Sequence, residues 1–312
     1  MISIPRRHGL ESVYVAVVTC LWVVLSASLV LVNKYILTIN LFHHVFTLSL
    51  CHMAVATALS ATLLRSVPPL KTPTICASTH AKLFAIGLMF ALSLVCATQA
   101  LTVMDVSSIQ MLKTINPAVI YAMGLTIGIE EFSAAVTGSI FVVCAGVAMT
   151  VFGAKNFTPY GIALQLVSVC LDSARWACLQ QVMQDDVARL TPLHTLSLIA
   201  PNAAIVLWAF ATYIEMSDLF HDPDALNQMY WVMGSSILAF MLNLCSFEFV
   251  RATSALRMSI TGVIKDVLLI LVSGHMFHTH VSVIQIQGYM TAVAGVCLYN
   301  YLHVRREKSD DV

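Results

Sequence analysis

The stretch SSIQMLKTINPAVIYAMG, Ser107 to Gly124, reads as a membrane-spanning helix interrupted by one charge, Lys113. A lysine at bilayer depth costs about 2.5–3.5 kcal/mol on insertion scales, so the surrounding bundle must offer it an anionic partner or a water-filled cavity. A second segment repeats the problem: SALRMSITGVIKDVLLILVSG, Ser254 to Gly274, carries Arg257 and Lys265 among apolar residues. Two basic spans in one chain require a common explanation.

Of the 312 residues, 59% are hydrophobic and 10% charged, and the mean hydropathy is +0.85. Soluble domains run at about 45–50% apolar and 25% charged, so this is a polytopic membrane protein. Ten windows are long enough to cross a hydrocarbon core of about 30 Å. They run over 13–33, 45–64, 82–101, 106–128, 134–152, 159–181, 195–214, 229–250, 254–274 and 283–303. Lipid cannot satisfy backbone N–H and C=O groups, and the runs lack the alternation of a barrel strand. The predicted fold is therefore all-α, a single transmembrane domain over 1–312. The first window follows Arg6 and Arg7 as a signal peptide would, but its apolar run of about 20 residues exceeds a signal h-region of about 7–15, so it counts as a span. Nine scattered cysteines without a C-x-x-C pair read as small apolar packing residues.

Orientation follows from the sixteen lysines and arginines. With ten spans, Arg6, Arg7, Arg65, Lys71, Lys82, Arg189, Arg251, Arg305, Arg306 and Lys308 fall on the side of both termini, and only Lys34 and Lys155 fall opposite. The positive-inside rule then predicts that both termini are cytosolic. The opposite side receives the acidic loop EMSDLFHDPDALNQ with Glu215, Asp218, Asp222 and Asp224, read as a solvated turn in preference to a divalent-ion loop.

A shift of 147 positions lays DVSSIQM, 105–111, over ATSALRM, 252–258, so that Ser107 meets Ser254 and Met111 meets Met258. Both segments open the fourth helix of a set of five. Five is odd, so the halves 13–152 and 159–303 enter the membrane from opposite sides, which predicts two five-helix inverted repeats. Transporters built this way bind solute near the midplane, between the repeats.

The charges inside the spans are Lys113, Arg175, Arg257 and Lys265 against Asp172 and Asp266, with Glu248 near a span end. The cationic excess of about two calls for a dianion, and phosphate and pyrophosphate groups suit both lysine and arginine. Helical spacing puts Gln110, Lys113, Pro117, Tyr121 and Gly124 on one stripe, and Arg257, Thr261 and Lys265 on another. Gln165, Ser168, Asp172 and Arg175 form a third, although Asp172 and Arg175 can equally neutralise each other at i,i+3. Lys113 and Lys265 lie roughly 10–16 Å inside their spans, too deep for easy snorkelling. Gly124-x-x-x-Gly128 and Gly288-x-x-x-Ala292, with Gly295, read as close-packing faces. His275, His278 and His280 read as loop histidines. No P-loop, Gly-x-Ser-x-Gly or His-Glu-x-x-His pattern occurs, so neither an enzyme nor a nucleic-acid-binding protein is expected, and no cofactor or metal is called for.

Four stretches carry a resemblance: NKYIL at the end of the first span, DVSSIQMLKTINPAVIY in the fourth, LQLVSVCLDSARWACLQQVM in the sixth and TSALRMSITGVIKDVLLI in the ninth. Together they resemble the triose-phosphate and nucleotide-sugar translocator family of the drug/metabolite transporter superfamily. The resemblance implies a ten-helix inverted-repeat antiporter of phosphorylated solutes, in which Lys113 and Lys265 hold the phosphate. The arginine that follows the second lysine in plastid phosphate translocators is here Asp266. Arg175 matches an arginine of the family's sixth span, where the lysines that follow correspond to Gln180 and Gln181. The Lys-Asp pair resembles a plant, fungal and protist branch described as sugar-phosphate or nucleotide-sugar transporters.

The expectation is a Golgi or ER membrane antiporter of a nucleotide sugar exchanged for a nucleoside monophosphate. Lys113 and Lys265 take the phosphate, Arg257 or Arg175 assists, and Tyr121 or Asn116 meets the sugar or base. Gln110, Thr261, Asp172 and Asp266 complete the lining. The alternative is exchange of a sugar phosphate or phosphoenolpyruvate for phosphate, with another drug/metabolite exporter more distant. The partners are thus a phosphorylated solute, its counter-substrate and membrane lipid; the oligomeric state is open, a homodimer included.

Overall fold

A computed structural model describes residues 8–38, 42–66, 76–104, 106–128, 131–152, 158–184, 190–222, 225–277 and 282–310. Outside them lie Asp105, Asp224, His278, His280 and five of the orienting cations, Arg6, Arg7, Lys71, Lys155 and Arg189. The described residues form twelve α-helices. They are α1 (His8–Thr38), α2 (Val45–Ser66), α3 (Ala77–Val103), α4 (Val106–Lys113), α5 (Asn116–Ile127) and α6 (Ala134–Phe152), then α7 (Pro159–Met183), α8 (Pro192–Ile214), α9 (Met216–His221), α10 (Ala225–Ala252), α11 (Ala255–Phe277) and α12 (Val283–Asp310).

Among the described residues, seven helices are long and apolar enough to cross a bilayer: α1, α2, α3, α6, α7, α8 and α10. The protein is an all-helical membrane protein. The seven coincide with the first, second, third and fifth to eighth sequence windows; α4 with α5, α11 and α12 occupy the other three.

The fourth window is not one helix as its apolar run predicts. It breaks after Lys113 and resumes at Asn116. Pro117 has no N–H to give the carbonyl of Lys113, and its ring crowds that carbonyl. The chain tightens there instead, with Thr114 N donating to Met111 O and Ile115 N to Leu112 O at three-residue spacing (3.2 and 3.3 Å). Gly128 corrects a second expectation. It is no packing face but the stop of α5, at φ 80°, with its N–H donated to Gly124 O.

The Gly288-Ala292-Gly295 face does bring helices together, those of α6 and α12. A Cβ built on Gly146 would lie 2.3 Å from Ala292 N, and one on Gly288 would lie 2.5 Å from Thr150 N. The two backbones touch because neither position carries a side chain. The remaining packing pairs α2 with α8, α3 with α7, α1 with α10, and α11 with α4 and α5. Thr158 and Thr191 cap α7 and α8, each with proline as the first helical residue.

The acidic loop also has a structural part. The Glu215 carboxylate accepts from Phe46 N (2.8 Å), Thr47 N (2.7 Å) and Thr47 Oγ1 (2.8 Å), closing the first turn of α2 from the end of α8. Asp222 sits 3.3 Å from His44 Nε2 beside it. Among the described residues no cluster of three or more His, Cys, Asp or Glu is placed to hold a metal.

Candidate functional site: a cationic cavity at the helix break

A cavity of about 390 Å³ opens among α1, α2, α3, α4, α5, α7, α10 and α11. It lies within the size range of small-molecule sites. The closely packed α6 and α12 take no part in its wall. The break in the fourth window is what builds it: ending α4 at Lys113 and restarting at Asn116 puts both residues, with Gln110 and Ile120, on the cavity wall.

Three cations face this space. Arg175, on α7, is 3% exposed, and its Nε and Nη2 both donate to Asp172 Oδ1 (3.1 and 2.6 Å). Its guanidinium lies against the rings of Trp176 (4.0 Å) and Phe90 (4.3 Å), while Trp176 Nε1 donates to Asp172 Oδ2 at 3.1 Å. Lys265, on α11, donates to Ser26 Oγ on α1 (3.0 Å) and lies 3.1 Å from Asp266 Oδ1 and 5.5 Å from the Trp22 ring centre. Trp22 is fixed in turn by Nε1 donating to Ser246 Oγ at 3.0 Å.

Lys113 differs from both. Among the described residues no carboxylate lies within ion-pair distance of its ammonium, and the nearest charges acting on it are Asp266, Lys265 and Asp172. The pairing left open for Asp172 and Arg175 exists, yet both residues also line the cavity.

Placement divides the expected set. Lys113, Lys265, Arg175, Asn116, Gln110, Asp172 and Asp266 share the one cavity. Arg257 is exposed outside it, where its N–H donates to Ser254 Oγ at the start of α11, and Thr261 Oγ1 donates to Arg257 O (2.9 Å). Tyr121 is buried away from it. Its hydroxyl donates to Glu131 O (3.2 Å), accepts from Ser133 N (3.1 Å) and so ties α5 to the start of α6. The deep cationic excess of two therefore falls, within the cavity, to three cations against two carboxylates.

Several lining residues carry no charge and escaped a reading led by charges: Ser26, Asn33, His52, Asn243, Ser246 and Ser259. Their signal was a polar side chain in an apolar run, with Trp22, Ser26 and Asn33 on one stripe of α1. His52 Nε2 lies 3.0 Å from Ser235 Oγ, whose single hydrogen goes to Val232 O, so the ring donates from Nε2. Asn33 Oδ1, Asn116 Oδ1, Arg175 Nη1 and Ser259 Oγ are buried without a hydrogen bond, and all four belong to cavity residues. Unpartnered polar atoms from several helices around one cavity are what a polar solute would satisfy.

A bundle of membrane helices around a polar, cation-lined cavity is the architecture of a protein that takes a small charged solute. The chain belongs to the Triose-phosphate Transporter family, whose pattern it matches over residues 13–300. It is 29% identical over 99% of its length to the probable sugar phosphate/phosphate translocator At4g32390 of Arabidopsis thaliana, covering 88% of that protein. To At5g11230, a probable sugar phosphate/phosphate translocator of the same plant, it is 31% identical with the same coverage of both chains. A solved crystal structure superposes on 94% of this chain and 99% of its own with a TM-score of 0.63, at 15% identity, a likeness of fold alone.

Proposed function

We propose that the protein exchanges a sugar phosphate for phosphate by alternating access, with Lys113, Lys265 and Arg175 on the phosphoryl group and Asn116, Gln110 and neighbouring polar residues on the sugar. The observation that carries this reading is the convergence of three cations from α4, α7 and α11 on one cavity, one of them without a carboxylate beside it. The relatives, probable sugar phosphate/phosphate translocators by name, favour sugar phosphate and phosphate over the nucleotide sugar expected from the sequence.

Ten spans in two inverted five-helix repeats are part of the proposal. The helix pairing supports it: numbering spans with α4 and α5 as one and α9 as none, the second meets the seventh, the fourth the ninth and the fifth the tenth, while third-to-sixth mirrors eighth-to-first. An axis in the membrane plane generates this set of contacts. The cavity reaches along α1 to Leu37 and along α2 to Val45, near the α1–α2 connection. At the opposite end Tyr14 donates to Glu248 and Arg251 pairs with Glu248 at 2.6 Å, tying α1 to α10. Such a shape supports access from one side at a time. A Golgi or ER membrane, with both termini cytosolic, remains the proposed setting.

Purified protein in liposomes preloaded with phosphate tests the reading. Labelled sugar phosphates should enter, faster with internal phosphate than without. Entry of nucleotide sugars alone, driven by internal nucleoside monophosphate, would overturn it.

A further inference from the structure

We propose that the transported species is the singly charged form of the phosphate monoester, so that one proton accompanies each sugar phosphate. The inference rests on the reading of the cavity as a phosphate site and adds the protonation state of its ligand.

The argument is a charge balance at the occluded stage of transport. A solute that crosses between two closed gates takes the charges around it out of water, and an uncompensated charge there costs several kcal/mol. Resident pairs are already compensated. Asp172 and Arg175 stand three residues apart on α7, and Lys265 and Asp266 are neighbours on α11, so each pair moves with its own helix and stays matched in every state. What remains is the single positive charge of Lys113.

The other groups around Lys113 do not change this balance. α3 and α6 pack on α4, but α6 carries no ionic side chain, and the only basic residues of α3, His80 and Lys82, lie in its first turns, far from the cavity. On α2, His52 donates its ring hydrogen to Ser235 and is 8% exposed. On α12, Tyr289 is a buried phenol near Asp266. One cation needs one anionic charge, and a dianion would leave the closed cavity with a net negative charge. Arg175 Nη1 remains as an unpartnered donor for a phosphoryl oxygen, and Asn116 Oδ1, next to Lys113 on the cavity wall, as an acceptor for the hydroxyl of a protonated phosphate.

The second ionisation of a phosphate monoester lies near pH 6, so its monoanion fraction rises from about 3% at pH 7.5 to about 50% at pH 6. The experiment uses phosphate-loaded proteoliposomes with equal pH inside and out and labelled glucose 6-phosphate well below saturation. Initial uptake should rise about fifteenfold from pH 7.5 to pH 6, following that fraction. Unlabelled glucose 6-sulfate, which holds one charge throughout, should compete equally well at both pH values. The variant D266N raises the surplus to two charges. It should lose the acid stimulation and favour phosphate over the sulfate ester, and D172N offers the same test from α7. Wild-type uptake that is flat or falls twofold on acidification, with no competition from the sulfate ester, overturns the monoanion while leaving the phosphate site standing. Absence of any phosphate-ester uptake at either pH overturns both.

Discussion

The α6–α12 pair and the α4–α5–α7–α11 cluster occupy the same bundle and are built on opposite terms. In the first, glycines bring two backbones into contact, and no charged side chain stands on α6 or on the contact face formed by Gly288, Ala292 and Gly295. In the second, a helix breaks, five ionic side chains line a void and buried polar atoms lack partners. The difference teaches two ways to build a helix contact: backbone against backbone in a pair that never touches the cavity, and charged and polar side chains around a void in the cluster that forms it.

The comparison breaks most readily at Gly146. Its substitution by valine would drive side-chain atoms into the backbone of Ala292 and Gly288, which cannot move aside, and we expect no folded, monodisperse protein after detergent extraction. Gly234→Ala on α10, where nothing lies within 4 Å, should melt at the wild-type temperature or slightly higher, by up to about 1 kcal/mol of helix propensity. Equal damage from both would show that the α6–α12 contact is not what holds the bundle.

In the cavity the expectation reverses, with function lost and stability kept. Lys113→Ala should lower exchange by about a hundredfold or more, the scale on which deleting one partner of a buried charged hydrogen bond acts. Removing a cation that has no adjacent carboxylate relieves desolvation, so melting without ligand should hold or rise, and phosphate should no longer raise it. Retained transport, or a lowered melting point with the ligand shift intact, would mark Lys113 as structural.

Between these extremes stands Glu215, which acts on packing through polarity. Glu215→Ala strips three accepted hydrogen bonds from the start of α2 and should cost about 2 kcal/mol, seen as a lower melting temperature, while Glu215→Gln keeps part of the cap. The smallest effect concerns Cys76, outside both regions. Hydrogen bonds from the hydroxyls of Ser78 and Thr79 hold its thiol down to about 7, so half of it is thiolate at neutral pH. Its alkylation by an impermeant maleimide should climb through pH 7 and level off above pH 8, where an ordinary thiol still accelerates. It should label from the side of the termini; labelling only from the opposite side would invert the topology.

Much of the site was legible because a charge in an apolar span is costly wherever it lies. Lys113, Lys265, Arg175, Asp172 and Asp266 stood out in the sequence for that reason alone, and all five line the cavity. Arg257 stood out equally and lies outside, because the lining face of α11 runs through Met258, Gly262 and Asp266, and the stripe of Arg257, Thr261 and Lys265 meets it only at Lys265. Asn33, His52 and Ser259 were missed because an uncharged polar residue costs little in a span, and only its neighbours show whether it faces a void or a partner.

By itself the sequence determined that the chain is helical and lies in a membrane, and that its deep charges need a ligand or one another. Lipid leaves the backbone no other way to satisfy its hydrogen bonds, and buried charge has no other outlet. It also held both sides of the fourth window, an apolar run that argued for one helix and a proline that argued against it. Only the tertiary structure decided between them: the missing N–H of Pro117 costs a helix little where a cavity receives the freed backbone and much where lipid does. The pairing of charges was settled there too. Helical spacing allowed Arg175 to take Asp172, three residues away on α7, but the rotamers that packing selects decided that it does; whether Lys113 has a carboxylate depends on distances of a few ångströms between side chains on different helices, which helical spacing alone does not fix.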